Sequence, residues 1–419
     1  MRDNNQTFLS FLLPLLLASL QLPYTFLFGT VPTILITLNT PPSIQSLIYL
    51  AGPVTGLFGQ PVMGKLSDGG KRMGWVILAT LTVCLCVTGL YIIGLIFKDT
   101  KQVHLWIISA VLVWILDFSL QMHHCNSRCL IVENLNDQVN ANAQVGRLVS
   151  IINFAGYLLG PWVKIQFGAI WLGMIGITAL CWLFVNEQDE KLNELEETQT
   201  DDVNPYTALS LNDQMLPMSN EHPLSVRPYL RVWHEMGPLK KICFVELFIW
   251  FGWFLALFYT RQWVGHWGLI MTSGMSFLVV LLGPWFIKKW ENPLLKAWFL
   301  SIIFFAICCI GMSFGSFESI WRIAMAAGLG IAWGCVTWIP YALIGENVYD
   351  GLENHVGVVL GLHNVFICLP QMGASLICSI TFALLGEENG LRVVWTLFGI
   401  FSLGGLGILN SLKNEKILK

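Results

Sequence analysis

The 419-residue sequence is 55% hydrophobic and 12% charged, with a mean hydropathy of +0.64. Soluble domains average roughly 25% charged residues, so this composition excludes a water-soluble globule and predicts an all-α integral membrane protein with the lipid bilayer as its partner and no nucleic acid. The formal charge of −3 is unevenly placed: 11 of the 26 acidic residues lie between Asn186 and Lys241, which leaves the remainder net positive.

A bilayer core is crossed by about 20 mainly apolar residues. Apolar runs predict spans near residues 10–38, 44–66, 73–97, 103–134, 142–165 and 167–185, then near 241–262, 266–288, 294–313, 318–344, 354–384 and 390–411. The first run begins at Phe8, after only Arg2 and Asp3, and continues past any plausible cleavage site to about Leu38. It is therefore read as a span and not as a signal peptide. Lys65, Lys71 and Arg72, then Lys288, Lys289 and Lys296, then Lys413, Lys416 and Lys419 gather in alternate loops, which places both termini in the cytoplasm; Lys98 and Lys101 point the other way. With a cytoplasmic N-terminus the Asn5-Gln6-Thr7 sequon stays idle.

These spans fall into an N-terminal bundle over 1–185 and a C-terminal bundle over 241–419. Between them, 186–240 is rich in Asp, Glu, Asn, Ser and Pro and is expected to be a flexible acidic cytoplasmic linker. About twelve spans in two six-helix halves is the layout of transporters that rock one half against the other around a site near mid-membrane.

The fourth span carries Asp117, Gln121, His124 and Arg128 at offsets of four, three and four residues, hence on one helical stripe. A polar stripe facing lipid is costly, so it is expected to face the bundle interior or a wet cavity. Asp117 suits proton exchange and sugar hydroxyls; its bland alternative is a structural hydrogen bond. Arg128, about 16 Å further along by helical rise, suits a charge partner, a sugar contact or a gate, or else an interfacial anchor that snorkels. In the seventh span Trp250, Trp253 and Tyr259 offer aromatic faces to sugar CH groups, with Trp253 placed in the cavity and Trp263, near the helix end, assigned to an interfacial belt. The eleventh span offers His363, Asn364 and Gln371; the two amides, seven residues apart, suit sugar hydroxyls or helix-to-helix hydrogen bonds.

Eleven cysteines lie mostly within apolar runs without a CxxC pair. His123, His124, Cys125 and Cys129 diverge around a helix, so no metal is expected. Neither a P-loop nor HExxH is present, so no enzyme activity is expected.

At the junction of spans 2 and 3, Gly64-Lys65-Leu66-Ser67-Asp68 followed by Lys71 and Arg72 resembles the G-x-L-(A/S)-D loop of the major facilitator superfamily. Leu50 to Asp68, Leu116-Asp117-Phe118-Ser119, Arg128 to Glu133, Asn140 to Ala143, Gly146-Arg147, Asn153, Gly156-Tyr157, Trp253-Phe254, Tyr259-Thr260, Trp338 to Leu343 and Leu369 to Met372 follow in the order found in the sucrose transporter group of the glycoside-pentoside-hexuronide cation symporters. The resemblance covers almost the whole chain and is greatest to fungal alpha-glucoside members. It implies proton-coupled symport of sucrose or a related alpha-glucoside, with the proton as coupling ion and no other cofactor, in a monomer of the plasma membrane. It also implies a part in proton coupling and sucrose binding for Asp117 and Arg128; with Asp117, the candidate substrate contacts are Gln121, His124, Asn153, Trp253, Asn364 and Gln371. Gly64, Asp68, Lys71, Arg72, Glu133 and Arg147 would serve gating. The chain departs from plant members after span 7, where Gln262-Trp263-Val264-Gly265-His266-Trp267 replaces D-W-M-G-R-E without its three charges, and Glu133 replaces an Asp. The alternatives are a carrier of another small polar solute and a sugar-sensing receptor that does not transport.

Overall fold

The computed structural model describes residues 2–40, 48–68, 71–97, 103–160, 162–200, 226–287, 289–316, 319–348 and 351–412. Every regular element among them is helical. The first span is one path in three pieces, α1 (Arg2–Ser19), α2 (Gln21–Gly29) and α3 (Val31–Thr37). Its breaks have a chemical cause, because Pro23 and Pro32 have no N–H to give the carbonyls of Ser19 and Phe28 four residues before them. There follow α4 (Ala51–Ser67), α5 (Arg72–Ile96), α6 (Val103–Asn134), α7 (Gln138–Leu159) and α8 (Val163–Thr200). The second half holds α9 (Arg227–Glu235), α10 (Leu239–Phe258), α11 (Thr260–Val264), α12 (His266–Ile287), α13 (Pro293–Met312), α14 (Ile320–Val336), α15 (Ile339–Asn347), α16 (Val356–Leu385), α17 (Glu387–Ser402) and α18 (Gly404–Leu412).

Among the described residues 10 helical stretches are long and apolar enough to cross a membrane. The two further expected spans, α4 and α7, pack between them, α4 against α6 and α16 and α7 against α1 and α12. α4 is only 17 residues long and α7 carries Gln138, Asn140, Asn142, Gln144 and Arg147, so neither reads as a continuous apolar run.

The buried apolar residues form two large clusters. One draws on residues from Leu9 to Val185, the other on residues from Val232 to Leu412 together with Cys125, Cys129 and Val132 of α6. Each half thus buries its own core. Both ends of the segment expected as a flexible linker are helical: α8 runs on to Thr200 through Glu-, Leu- and Gln-rich sequence that favours helix, and α9 packs on α16. Residues 201–225 of that linker, with Lys98, Lys101, Lys288 and the three C-terminal lysines, lie outside the described residues.

The halves meet along α4 with α16 and along α7 with α12 and α15. Gly64 and Gly357 make the closest of these approaches: a Cβ added at Gly64 would lie 2.1 Å from the Gly357 carbonyl oxygen. Gly64→Val is therefore expected to prise α4 from α16. In an otherwise cysteine-free background, Cys368 on the cavity wall should then react faster with a maleimide added from the side of the α4–α5 turn, and an unchanged rate would count against this contact as a seal.

Candidate functional site

A cavity of about 240 Å3 lies between the halves, more than ten times the roughly 15 Å3 that one water requires. Asp117, Gln121, His124 and Arg128 all line it from α6, so the polar stripe does face inward. Asp117 is 4% exposed, and its carboxylate has no hydrogen-bond or ion-pair partner among the described residues. Gly52 on α4 leaves room for it, with a Cβ there lying 3.6 Å from Asp117 Oδ1. Gln60 of α4 organises the middle of the stripe: its Nε2 donates to Gln121 Oε1 at 2.6 Å and lies 3.2 Å from His124 Nδ1. Asn153 of α7 lines the same wall.

Arg128 does not pair with Asp117. Its guanidinium donates to Asn142 Oδ1 at 3.0 Å and to the Thr337 carbonyl at 3.3 Å, and it lies 3.3 Å from the centroid of the Tyr341 ring. A buried cation in α6 is thus held by one residue of its own half and two of the other. It is 6% exposed, and its Nε has no partner among the described residues, so the anchor that snorkels to the interface is not what the geometry contains.

The facing wall is aromatic. Trp253 packs against Phe305 and Trp333 with ring centroids 4.5 and 4.7 Å away, and Trp250 lies 6.3 Å from Trp333. Trp250, Trp253 and Trp333 line the cavity together with Tyr341, Asn364 and Gln371. Asn364 also spans the halves, donating to the Gly56 carbonyl at 2.9 Å. Gln371 donates to Ile367 of its own helix at 3.0 Å. His363 is fully buried against Tyr341 with neither ring nitrogen bonded among the described residues, and it does not line the cavity.

Each end of the cavity is crossed by contacts between the halves. At the α4–α5 turn, Arg72 donates to Asp68 Oδ1 at 2.7 Å, to Glu133 Oε2 at 2.7 Å and to Ser67 Oγ at 2.6 Å. Asp68 in turn accepts the N–H groups of Gly357 at 2.9 Å and Val358 at 3.3 Å, so an anion caps the open N-terminus of α16. Burial pushes the Asp68 carboxyl above its ordinary value, while Arg72 and the Gly357 N–H pull the other way. Lys71 stands outside this network in a left-handed conformation (φ 65°), and Arg147 bonds Gln144 on its own helix.

At the opposite end Phe28 meets Phe258 edge to face at 5.6 Å, with Tyr49 6.3 Å from the same ring. Arg261 beyond them donates to the Gly29 carbonyl and to Thr33 Oγ1. Replacing Arg261 by Gln is expected to loosen this end. A spin-label pair on α2 and α11 should then show a larger share of long distances by double electron–electron resonance, and an unaltered distribution would remove Arg261 from the closure.

The assignment of Trp263 to an interfacial belt is corrected. It is 5% exposed, its Nε1 donates to the Met312 carbonyl at 2.9 Å, and the Arg322 guanidinium lies 3.5 Å from its ring centroid. Reading the sequence also missed Gln60 and Tyr341 in the cavity wall, Arg261 at its closure, and Glu246, which bonds the wall residue Trp250. Glu246 is a buried carboxylate on α10 that accepts the Trp250 indole N–H, and its other oxygen has no partner among the described residues. A lone acid in an apolar run was the available signal for it. Among the described residues no three His, Cys, Asp or Glu side chains gather as metal ligands, and all eleven cysteines are free of disulfides.

Comparison with known proteins places these features in context. The Major Facilitator Superfamily profile matches residues 14–375. A general alpha-glucoside permease of Schizosaccharomyces pombe is 22% identical, over 87% of this chain and 85% of its own length. Sucrose transport proteins of Arabidopsis thaliana and of Oryza sativa subsp. indica are 24% and 23% identical, over 80% and 81% of this chain and 76% and 80% of theirs. Among solved structures, the human organic anion transporter MFSD10 superposes with a TM-score of 0.63 at 14% identity, covering 96% of this chain and 98% of its own. A bacterial homologue of the iron transporter ferroportin in the outward-facing state, with soaked iron, does so with 0.64 at 10% identity, covering 97% and 99%. At such identities the likeness of structure concerns the fold.

Proposed function

The chain belongs to the Major Facilitator Superfamily, and from that premise we propose that it is a proton-coupled symporter of sucrose or a related alpha-glucoside. It is a multi-pass membrane transporter and not an enzyme. The observation that carries the finer reading is the pairing of walls in one cavity: Asp117, Gln121, His124 and Asn153 on one half face Trp250, Trp253 and Trp333 on the other. A sugar ring presents apolar CH faces and an equatorial rim of hydroxyls, so aromatic faces opposite polar groups are complementary to it. Gln371 and Asn364 extend the polar rim from α16. The names of the curated relatives point to the same substrate class.

Alternating access follows from how the ends are held. Asp68 on the N-terminus of α16 and the Gly64–Gly357 approach close one end, while the Phe28–Phe258 contact and Arg261 close the other. Both closures consist of a few polar and ring contacts that rigid-body rocking can exchange. Proton binding at Asp117, with Arg128 linking α6 to the second half, would bias that exchange. In this reading both termini face the cytoplasm, the host is the plasma membrane, and the working unit is a monomer; the loop lysines and arginines support the orientation.

Uptake of radiolabelled sucrose and maltose by cells expressing the protein, with simultaneous recording of external pH, tests the proposal. Accumulation with alkalinisation is the expected result. Accumulation of a different polar solute would redirect the substrate assignment, and saturable binding without accumulation would replace transport by sensing.

A further inference from the structure

A second cavity, of about 250 Å3, lies beside α12, α13 and α14. Its walls include Val280, Gly283, Ala297 and Trp338, with Ala143 reaching in from α7 of the first half. Small side chains at Gly283, Ala297 and Ala143 leave the space open. Trp290, 38% exposed, and Leu300, 50% exposed, stand at its mouth.

Water is a poor occupant. Few polar groups line the wall and two of them are engaged already: Ser301 Oγ donates to the Trp298 carbonyl at 2.7 Å and Trp338 Nε1 to the Gly334 carbonyl at 2.8 Å, whereas a buried water needs about 2–4 partners. Left empty, the walls lose their dispersion contacts. The remaining solvent of a membrane protein is hydrocarbon, and the mouth residues are apolar and outward-facing.

The rim adds a charge. Lys289 is exposed and directly precedes Trp290, and Lys296 sits one turn before Leu300 on α13. Lys296 is 41% exposed and makes a 3.9 Å contact with Glu291, itself 88% exposed; an ion pair that open holds a lysine weakly. Each lysine is the chain neighbour of a wall residue, Lys289 of Trp290 and Lys296 of Ala297, and against these two cations stands the one anion Glu291.

We propose that this side cavity binds an acyl chain of an acidic phospholipid whose headgroup is held between Lys289 and Lys296. Because Ala143 forms part of the wall, the bound lipid also supports the seam between α7 and the second half. Native mass spectrometry of the purified full-length protein with added dioleoyl phosphatidylserine or dioleoyl phosphatidylcholine tests this. One phosphatidylserine is expected to survive activation energies that strip phosphatidylcholine. The variant Ala297→Phe, which fills the space, should lose it. The double variant Lys289→Gln with Lys296→Gln should hold phosphatidylserine at least about tenfold more weakly, no better than phosphatidylcholine. Equal retention of the two lipids by the wild type, or wild-type retention by Ala297→Phe, overturns the site. Should Ala297→Phe not fold, the exposed lysine pair carries the test, and undiminished preference in that variant also overturns it.

Discussion

Replacing Asp117 by Asn is expected to abolish accumulation of sugar against a gradient while sparing delivery to the membrane and exchange down a gradient. The carboxylate lines the central cavity and has no protein partner among the described residues, so Asn, of nearly equal size, breaks no contact that holds the fold. What it removes is the ability to carry a proton. If protonation and sugar binding are coupled by some factor, each changes the other's affinity by that same factor, and a side chain that cannot titrate sets the factor to one. The accumulation ratio should then fall to about unity, with counterflow of preloaded sugar within roughly threefold of wild type. The dependence of uptake on external pH should disappear with it. A purely structural Asp117 predicts a different pattern, in which uphill and downhill movement fall together or neither falls. Wild-type accumulation by Asp117→Asn would remove the residue from coupling altogether.

Asp117 illustrates what a membrane sequence makes legible. A hydrocarbon surround allows few polar residues, and those it allows must face inward, so offsets of four, three and four in α6 were enough to set Asp117, Gln121, His124 and Arg128 on one wall. The spans were legible for a related reason, since run length is tied to bilayer thickness; the same reading reached α4 and α7, although α4 is short and α7 is interrupted by amides and Arg147. Partnerships across the halves left no such mark. Arg128 with Thr337 and Asn364 with Gly56 join residues 209 and 308 positions apart, and no periodicity within one helix encodes them. Gln60 stood alone in its helix, and nothing local tied it to Gln121 and His124. Trp263 was misplaced because nearness to a helix end says nothing about which side the ring faces; Arg322, 59 residues on, covers it and donates to its carbonyl.

Replacing Arg128 by Lys is expected to lower the uptake rate by about tenfold to a hundredfold, although the charge is retained. Three features of the site depend on the shape of the guanidinium: a flat face lies 3.3 Å from the Tyr341 ring centroid, one nitrogen bonds Asn142 Oδ1, and another bonds the Thr337 carbonyl. An ammonium is compact and cannot lie flat on the ring while reaching two acceptors on different halves. Loss of one hydrogen bond to a charged group costs about 1.5–3 kcal/mol, which is about one to two powers of ten in an equilibrium between conformers. Were Arg128 an anchor at the membrane surface, Lys would serve equally, since both side chains snorkel; normal uptake by Arg128→Lys would therefore favour the anchor. Tyr341→Phe separates the ring from its hydroxyl. It keeps the stacking surface and should remain near wild type, whereas Tyr341→Leu removes the surface and should resemble Arg128→Lys. Because the contact joins the halves in this closed arrangement, the defect should appear in the maximal rate more than in the half-saturating sugar concentration. A rise in the latter alone would make Arg128 a sugar ligand and not a link between the halves.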